Sequence, residues 1–155
     1  MKINMSEKTI KTDISIEDKI LLIKDLSARQ AYGVHIEHKS GFIGTLHDLT
    51  TYRLYDGDNI KDIYCVIDFF GDDDYISVEY FRPYLFPLSS MSEEQHKELH
   101  DKLIELELQA LNDEISRIEA VKFEIDYYLE NHFDYRGLIE RGLALDATGK
   151  NIYYK

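Results

Sequence analysis

Apolar and polar positions along this chain change period twice, and the two changes divide it into three kinds of segment. Ser15 stands where a helix N-cap is wanted, with Asp18 at the third helical position, and Ile16, Ile20, Ile23 and Leu26 then recur on one helical face. This spacing predicts a helix over roughly 16–29, preceded by a polar, flexible tail over 1–14. Near Gly33 the period shortens. The runs "YGVHIEH", "FIGTLHDL", "TYRLYD", "DIYCVIDFF" and "YISVEYF" are rich in β-branched and aromatic residues, and "KSG", "DGDN" and "GDDD" separate them with turn chemistry. Five antiparallel strands in a meander are expected, as a sheet or a partly open small barrel. Ile63, Cys65, Ile67 and Phe69 alternate with Tyr64, Val66, Asp68 and Phe70, so that strand has apolar groups on both sides and belongs in a central, twice-covered position.

The second change comes at "FRPYLFPLSSMSEEQ", residues 81–95, which holds both prolines of the chain. Pro83 and Pro87 lack backbone donors and are expected to end strand pairing. Ser92 and Gln95 then form a capping box, with Glu93 and Glu94 at the positive end of the helix dipole. Beyond it, Ile104, Leu108, Leu111, Ile115, Ile118, Ile125 and Leu129 make one apolar row, and Leu99, Leu103, Leu106 and Ala110 a second. Together they are too broad for a two-stranded coiled-coil seam. The "LND" at 111–113 permits a break but contains no Gly or Pro to enforce it, so one long helix or a hairpin is expected. The apolar rows would pack on the sheet or form a homodimer interface through the helical segment. In the tail, Gly137 and Gly142 flank a short turn, and Leu138, Ile139, Leu143 and Leu145 are expected to dock on the core. The fold expected is a single α+β domain with four parts: the tail 1–14, helix and strands 15–91, the helical segment 92–131, and a docked tail 132–155.

Charge sharpens this picture. The net charge of −12 is concentrated, since residues 92–131 carry four Lys/Arg against twelve Asp/Glu and residues 41–91 carry three against nine. Nucleic-acid binding draws most of its affinity from phosphate neutralisation, and no basic footprint is present to supply it. Direct nucleic-acid binding and attachment to anionic membranes are therefore not expected. No run approaches the ~18 apolar residues that span a bilayer. The first residues lack the apolar core of a secretory signal, and Cys65, the only cysteine, cannot form an internal disulfide. A reducing, cytoplasmic compartment is the expected location.

Reactive constellations are weak. His96 and His100 lie one helical turn apart, but Lys97 stands where a zinc-protease motif needs Glu. His35, Glu37 and His47 could meet on adjacent strands, although a solvent face explains them with less. "DGDN" lacks the spacing and distal Glu of a calcium loop, and no phosphate-cradling glycine loop or nucleophile elbow occurs. No catalytic residue, metal or cofactor is assigned, and a non-enzymatic role is favoured. Two surfaces remain as candidates. Arg82, Tyr84, Tyr135, Arg136 and Arg141 are of the types that anchor interfaces and grip carboxylates or phosphates, with an internal packing role as the alternative. Glu94, Glu98, Asp101, Glu105 and Glu119 form an acidic face on the helical segment.

The segments "LLIKDLSARQAYGVHI", "FRPYLFPLSSMSEEQ" and "HFDYRGLIERGLALDA" resemble a family of uncharacterised small proteins carried by phages and integrated mobile elements of gut anaerobes. The resemblance runs from about Leu21 to Ala147. It departs at Gln30 and Ala31, where that family carries Leu-Pro, and after Ala147, where Thr148 replaces Pro. It implies a phage or prophage context and transfers no catalytic residue. The function expected is binding of a host or phage protein, as in an anti-defence inhibitor that uses its acidic surface. A protein that binds or sequesters a small nucleotide signal, and a structural virion component, are the alternatives.

Overall fold

The structure, a computed structural model, describes residues 10–68 and 73–153, with 63–68 and 73–76 described by their backbone. The chain is α+β, and its described residues belong to two compact units, Met1–Pro83 and Tyr84–Lys155.

In the first unit, helix α1 (Ile16–Arg29) begins where Ser15 accepts the backbone N–H of Asp18 at 3.1 Å. It is followed by a short 3-10 turn that Gly33 closes at φ 66°, a left-handed conformation costly for any residue with a Cβ. Six strands follow: β1 (His35–His38), β2 (Ile43–Thr45), β3 (Asp48–Asp56), β4 (Asn59–Asp68), β5 (Asp73–Ile76) and β6 (Phe81–Pro87). They do not form one meander. β3, β4 and β5 pair antiparallel with β4 in the centre, where the two-sided alternation put it. β1 pairs antiparallel with β2 and with the first three residues of β6. The sheets are open. "FIGTLHDL" and "TYRLYD" divide at 46–47 rather than between them, and Leu46, whose N–H donates to the carbonyl of Val34 at 2.9 Å, is fully buried. Phe69, Phe70, Gly71 and Asp72 lie outside the described residues.

Helix α1 packs on β3 and β4 through a face rotated from the expected one. Ile23 and Leu26 are buried as expected, and Leu22 is fully buried with Val34, Ile36, Val78 and Phe81, whereas Ile16 and Ile20 are only half-buried. Charged side chains complete that buried face. Arg29 Nε meets Asp25 Oδ2 at 2.7 Å with both side chains inaccessible, and Lys19 Nζ bridges Asp62 (2.8 Å) and Glu79 (2.9 Å). Burial pulls the Lys19 ammonium down, but the hydrogen bonds and charges of Asp62 and Glu79 together outweigh it and hold its pKa above 10.5. The segment expected as a flexible tail is tied down from Ile10, which is buried, and from Lys11, whose carbonyl accepts from Arg82.

In the second unit, Tyr84–Pro87 of β6 pair in parallel with two two-residue strands, β7 (Phe133–Asp134) and β8 (Leu145–Asp146). As expected, each proline is the last residue of a ladder: the pairing with β1 ends at Pro83 opposite Ile36, and the pairing with β7 and the strand itself end at Pro87 opposite Asp134, although β6 runs on through Pro83 to pair with β8. A proline is compatible with a ladder wherever its missing N–H would not have bonded. After a 3-10 turn at Leu88–Ser90 come helices α2 (Glu93–Leu111) and α3 (Ile118–Glu130), the hairpin of the two arrangements expected for the helical segment. Met91, Leu99, Tyr127 and Phe133 form a core with Phe86, Leu103, Phe123 and Tyr128 around it. Tyr127 Oη donates to the carbonyl of Gln95 (3.4 Å) and to Glu98 (3.3 Å), which fixes α3 antiparallel to α2. In the tail, Leu138 and Leu143 are fully buried as expected, with Ile139 and Leu145 half-buried. No helix among the described residues is long and apolar enough to cross a membrane.

Candidate functional site: one face of the helical hairpin

Helix α2 is started and stopped by local chemistry. Ser92 Oγ accepts the N–H of Gln95 (3.1 Å), and Gln95 Oε1 accepts the N–H of Ser92 (2.9 Å), a complete capping box. The break is made at the "LND" segment by Asn112 as C-cap and by Asp113 at φ 58°, the left-handed region that Asn and Asp tolerate better than other residues with a Cβ. Once the chain reverses there, the two apolar rows have different fates. The row Leu99, Leu103, Leu106 and Ala110 turns toward α3 and is buried or half-buried. Ile104, Leu108 and Leu111 stay exposed, and so do Ile118, Val121 and Ile125 of α3.

At 3.6 residues per turn each of these exposed triplets occupies an arc of roughly 60°. Leu111 and Val121 look to the same side of the antiparallel pair, because they wall a common groove of about 330 Å³ with Ala110, Ala120, Glu107 and Arg117. The small side chains of Ala110 and Ala120 line the groove beside Leu111 and Val121 and leave it open. Leu111 is 67% exposed and Leu108 55%, which is far from core packing. Six large aliphatic side chains exposed on one element are of the kind that marks an interaction surface.

Beside this face runs the acidic one. Glu94, Glu98, Asp101 and Glu105 recur at 4, 3 and 4 residues, occupy the arc of α2 next to Ile104 and Leu108, and are all exposed. Glu119, the fifth predicted acidic residue, lies on α3 and pairs with Lys122 at 3.5 Å. Lys97 pairs with Asp101 (3.2 Å) and Lys102 with Glu105 (3.1 Å); these exposed pairs are screened and hold little energy. Burial, then the neighbouring Glu98 carboxylate, raises the Tyr127 phenol, and burial with the hydrogen bond to Glu124 pushes Tyr128 up to about 12. Both phenols stay neutral donors at neutral pH and hold carboxylates against the hairpin.

Of the Arg/Tyr group, Arg82 and Tyr84 take the internal packing role that stood beside the interface one. Arg82, in the first unit, is 1% exposed, and its guanidinium donates to the carbonyls of Glu79 (3.0 Å), Phe81 (2.7 Å) and Lys11. A planar five-donor group satisfies several backbone acceptors at once, which suits an interior brace rather than a recognition surface. In the second unit, Tyr84 is buried, and its carbonyl accepts from Tyr153 Oη at 2.6 Å. Tyr135 is half-buried and stacks on Tyr128, with the half-buried Arg136 over its ring at 5.0 Å; Arg141 is exposed. Asp134 is the functional side chain of the "HFDYRGLI" segment that residue types did not single out. Buried, it accepts the backbone N–H groups of Leu138 and Ile139, both at 2.8 Å, and so shapes the tail. An Asp four and five residues ahead of a Gly-flanked turn was the available signal.

A second concavity lies in the same unit, an open cleft of about 470 Å³ walled by Phe86, Phe133 and the stacked pair His132–Tyr153 (centroids 3.9 Å apart), with Gln95, Asn131 and Lys150 among its polar groups. His96, His100 and His47 are exposed, and His35 Nδ1 lies 2.9 Å from Thr45 Oγ1. Among the described residues no group of three or more His, Cys, Asp or Glu is placed to hold a metal ion. "DGDN" makes the β3–β4 turn, with Gly57 at φ 61°. The side chain of Cys65 lies outside those described. No protein-family model matches the chain, and no curated protein and no solved structure matches it.

Proposed function

We propose that this is a non-enzymatic binding protein that engages another protein through the α2–α3 hairpin. The observation that carries the reading is the exposure of Ile104, Leu108, Leu111, Ile118, Val121 and Ile125 on that one element. A soluble surface that leaves so much aliphatic area on one element gains free energy when it is covered, at about 25 cal/mol per Å² removed from water. The phage or prophage setting, the bacterial cytoplasm and an anti-defence role rest on the family resemblance of the sequence segments and on the acidic surface, which repels nucleic acid and attracts basic partners. The test is comparative capture from a bacterial lysate with the wild-type chain and with a Leu108→Gln, Leu111→Gln, Val121→Gln variant whose circular dichroism matches wild type. A protein retained by the first and lost by the second supports the reading. Equal capture by both overturns it.

A small-ligand role is the second reading, favoured by the cleft walled by His132 and Tyr153, which offers aromatic faces and amide groups together. Thermal-shift screening against nucleotides, repeated on Lys150→Ala, tests it. A shift that the substitution abolishes supports the role, and no shift with any ligand ends it.

A further inference from the structure

We propose that the exposed face of the hairpin receives a basic amphipathic helix of the partner. This rests on the docking role of the same face and adds the chemistry of what docks. Three observations specify the occupant. The first is that the face offers side chains and no backbone partners, because the N–H and C=O groups along α2 and α3 are bonded within their own helices. An extended segment laid there would bury its own amides without acceptors, whereas a helix arrives with its backbone satisfied. The second is shape. Leu111 and Val121 wall a groove with Ala110, Ala120, Glu107 and Arg117, and each belongs to an exposed aliphatic triplet of its helix, Ile104–Leu108–Leu111 or Ile118–Val121–Ile125. Each triplet spans eight residues, roughly 10 Å at 1.5 Å per residue, so about two turns of a helix lie along this surface and present apolar residues at i, i+3 or i+4, and i+7.

The third is charge. The α2 margin of the face carries Glu94, Glu98, Asp101 and Glu105 one turn apart, and residues 92–131 as a whole carry four basic against twelve acidic side chains. A helix with Lys or Arg along one edge of its apolar stripe meets that margin with opposite charge, which steers encounter and fixes orientation. A second copy of this chain brings the same excess of carboxylates to the contact and is disfavoured at ordinary ionic strength. The occupant is therefore a helix of another protein, apolar on one face and basic beside it.

The test uses the full chain and a fluorescein-labelled synthetic helix of leucine and lysine, about 18 residues long so that it spans several turns. Three control measurements accompany it: a peptide of the same composition scrambled to scatter its leucines, a leucine–glutamate counterpart, and light scattering of the chain alone. Expected are binding of the Leu/Lys helix that weakens at least about tenfold (1.4 kcal/mol per decade) in Leu108→Gln/Leu111→Gln/Val121→Gln, which leaves the net charge untouched. A similar loss is expected in Glu98→Gln/Asp101→Asn/Glu105→Gln, together with a fall in affinity as salt shortens the screening length. Equal binding of the scrambled peptide, equal binding of the leucine–glutamate peptide, or indifference to the three apolar substitutions overturns the proposal. So does a dimer in light scattering that strengthens with salt and dissociates in the apolar variant, which assigns the face to a second copy. If the peptide fails while lysate capture still depends on Leu108, Leu111 and Val121, only the basic helix is withdrawn and the docking face stands.

Discussion

Asp134 shows how one side chain can organise a segment that has no regular structure. Its carboxylate takes the N–H groups of Leu138 and Ile139, and Leu138 is fully buried just beyond. Removing the carboxylate strands two donors, each worth about 1–3 kcal/mol when buried without a partner. Asp134→Ala should therefore cost about 2–4 kcal/mol in urea unfolding and Asp134→Asn less, since the amide keeps one acceptor; a loss under about 0.5 kcal/mol for Ala would refute the role. His38 illustrates the electrostatic side. Its Nδ1 accepts the backbone N–H of Ser40 at 3.2 Å, and burial, then the charge of Lys39, lower its pKa below 6.5. The folded chain thus binds this proton less readily than the unfolded chain. The His38 contribution is complete above the unfolded value near 6.5 and is lost as pH falls through the lower folded value. Proton NMR should place the His38 midpoint below 6.5, with Lys39→Gln moving it part of the way back. A midpoint at or above 6.5 would contradict the burial.

At the scale of the element, caps and breaks decide what the apolar pattern can become. The capping box satisfies two backbone donors at the start of α2, and Ser92→Ala should cost about 1 kcal/mol, read as a shift in the denaturation midpoint with an unchanged slope. No measurable shift would mean that the first turn frays in the native state. The break at 112–117 has the larger consequence. A continuous helix would keep both apolar rows on one rod, while the reversal at Asn112 and Asp113 sets one row against α3 and leaves the other, with its counterpart on α3, facing outward. The docking face is therefore a product of the turn as much as of the residues that compose it.

For the molecule as a whole, the −12 charge is the dominant fact. The described ion pairs on the hairpin are exposed and contribute little, so net repulsion among carboxylates outweighs them. Raising ionic strength from about 0.01 M to about 0.15 M shortens the screening length from ~30 Å to ~8 Å, and the thermal midpoint should rise. A midpoint that falls with salt would show that attractive pairs, such as Lys19 with Asp62 and Glu79, control stability instead. Two compact units each hold a core of their own: Leu22, Leu26, Ile36 and Phe81 in the first, and Leu99, Tyr127, Phe133 and Leu138 in the second.

What sequence alone determined is what local chemistry determines. Ser15 and Ser92 mark helix starts because caps bond within three residues, and the α+β class follows from periods that single segments carry. The acidic face was legible for the same reason, since Glu94, Glu98, Asp101 and Glu105 need only a helix to align them. The tertiary structure decided everything that depends on distant neighbours. It put β4 in one sheet and β6 in another, because register is chosen by whichever edges meet. It drew Arg82 inward because three carbonyls, one of them from Lys11, converge on its guanidinium. It also chose which of two equally apolar rows on α2 to bury, a choice that no residue makes by itself because both rows gain the same free energy per unit area and only α3's arrival distinguishes them.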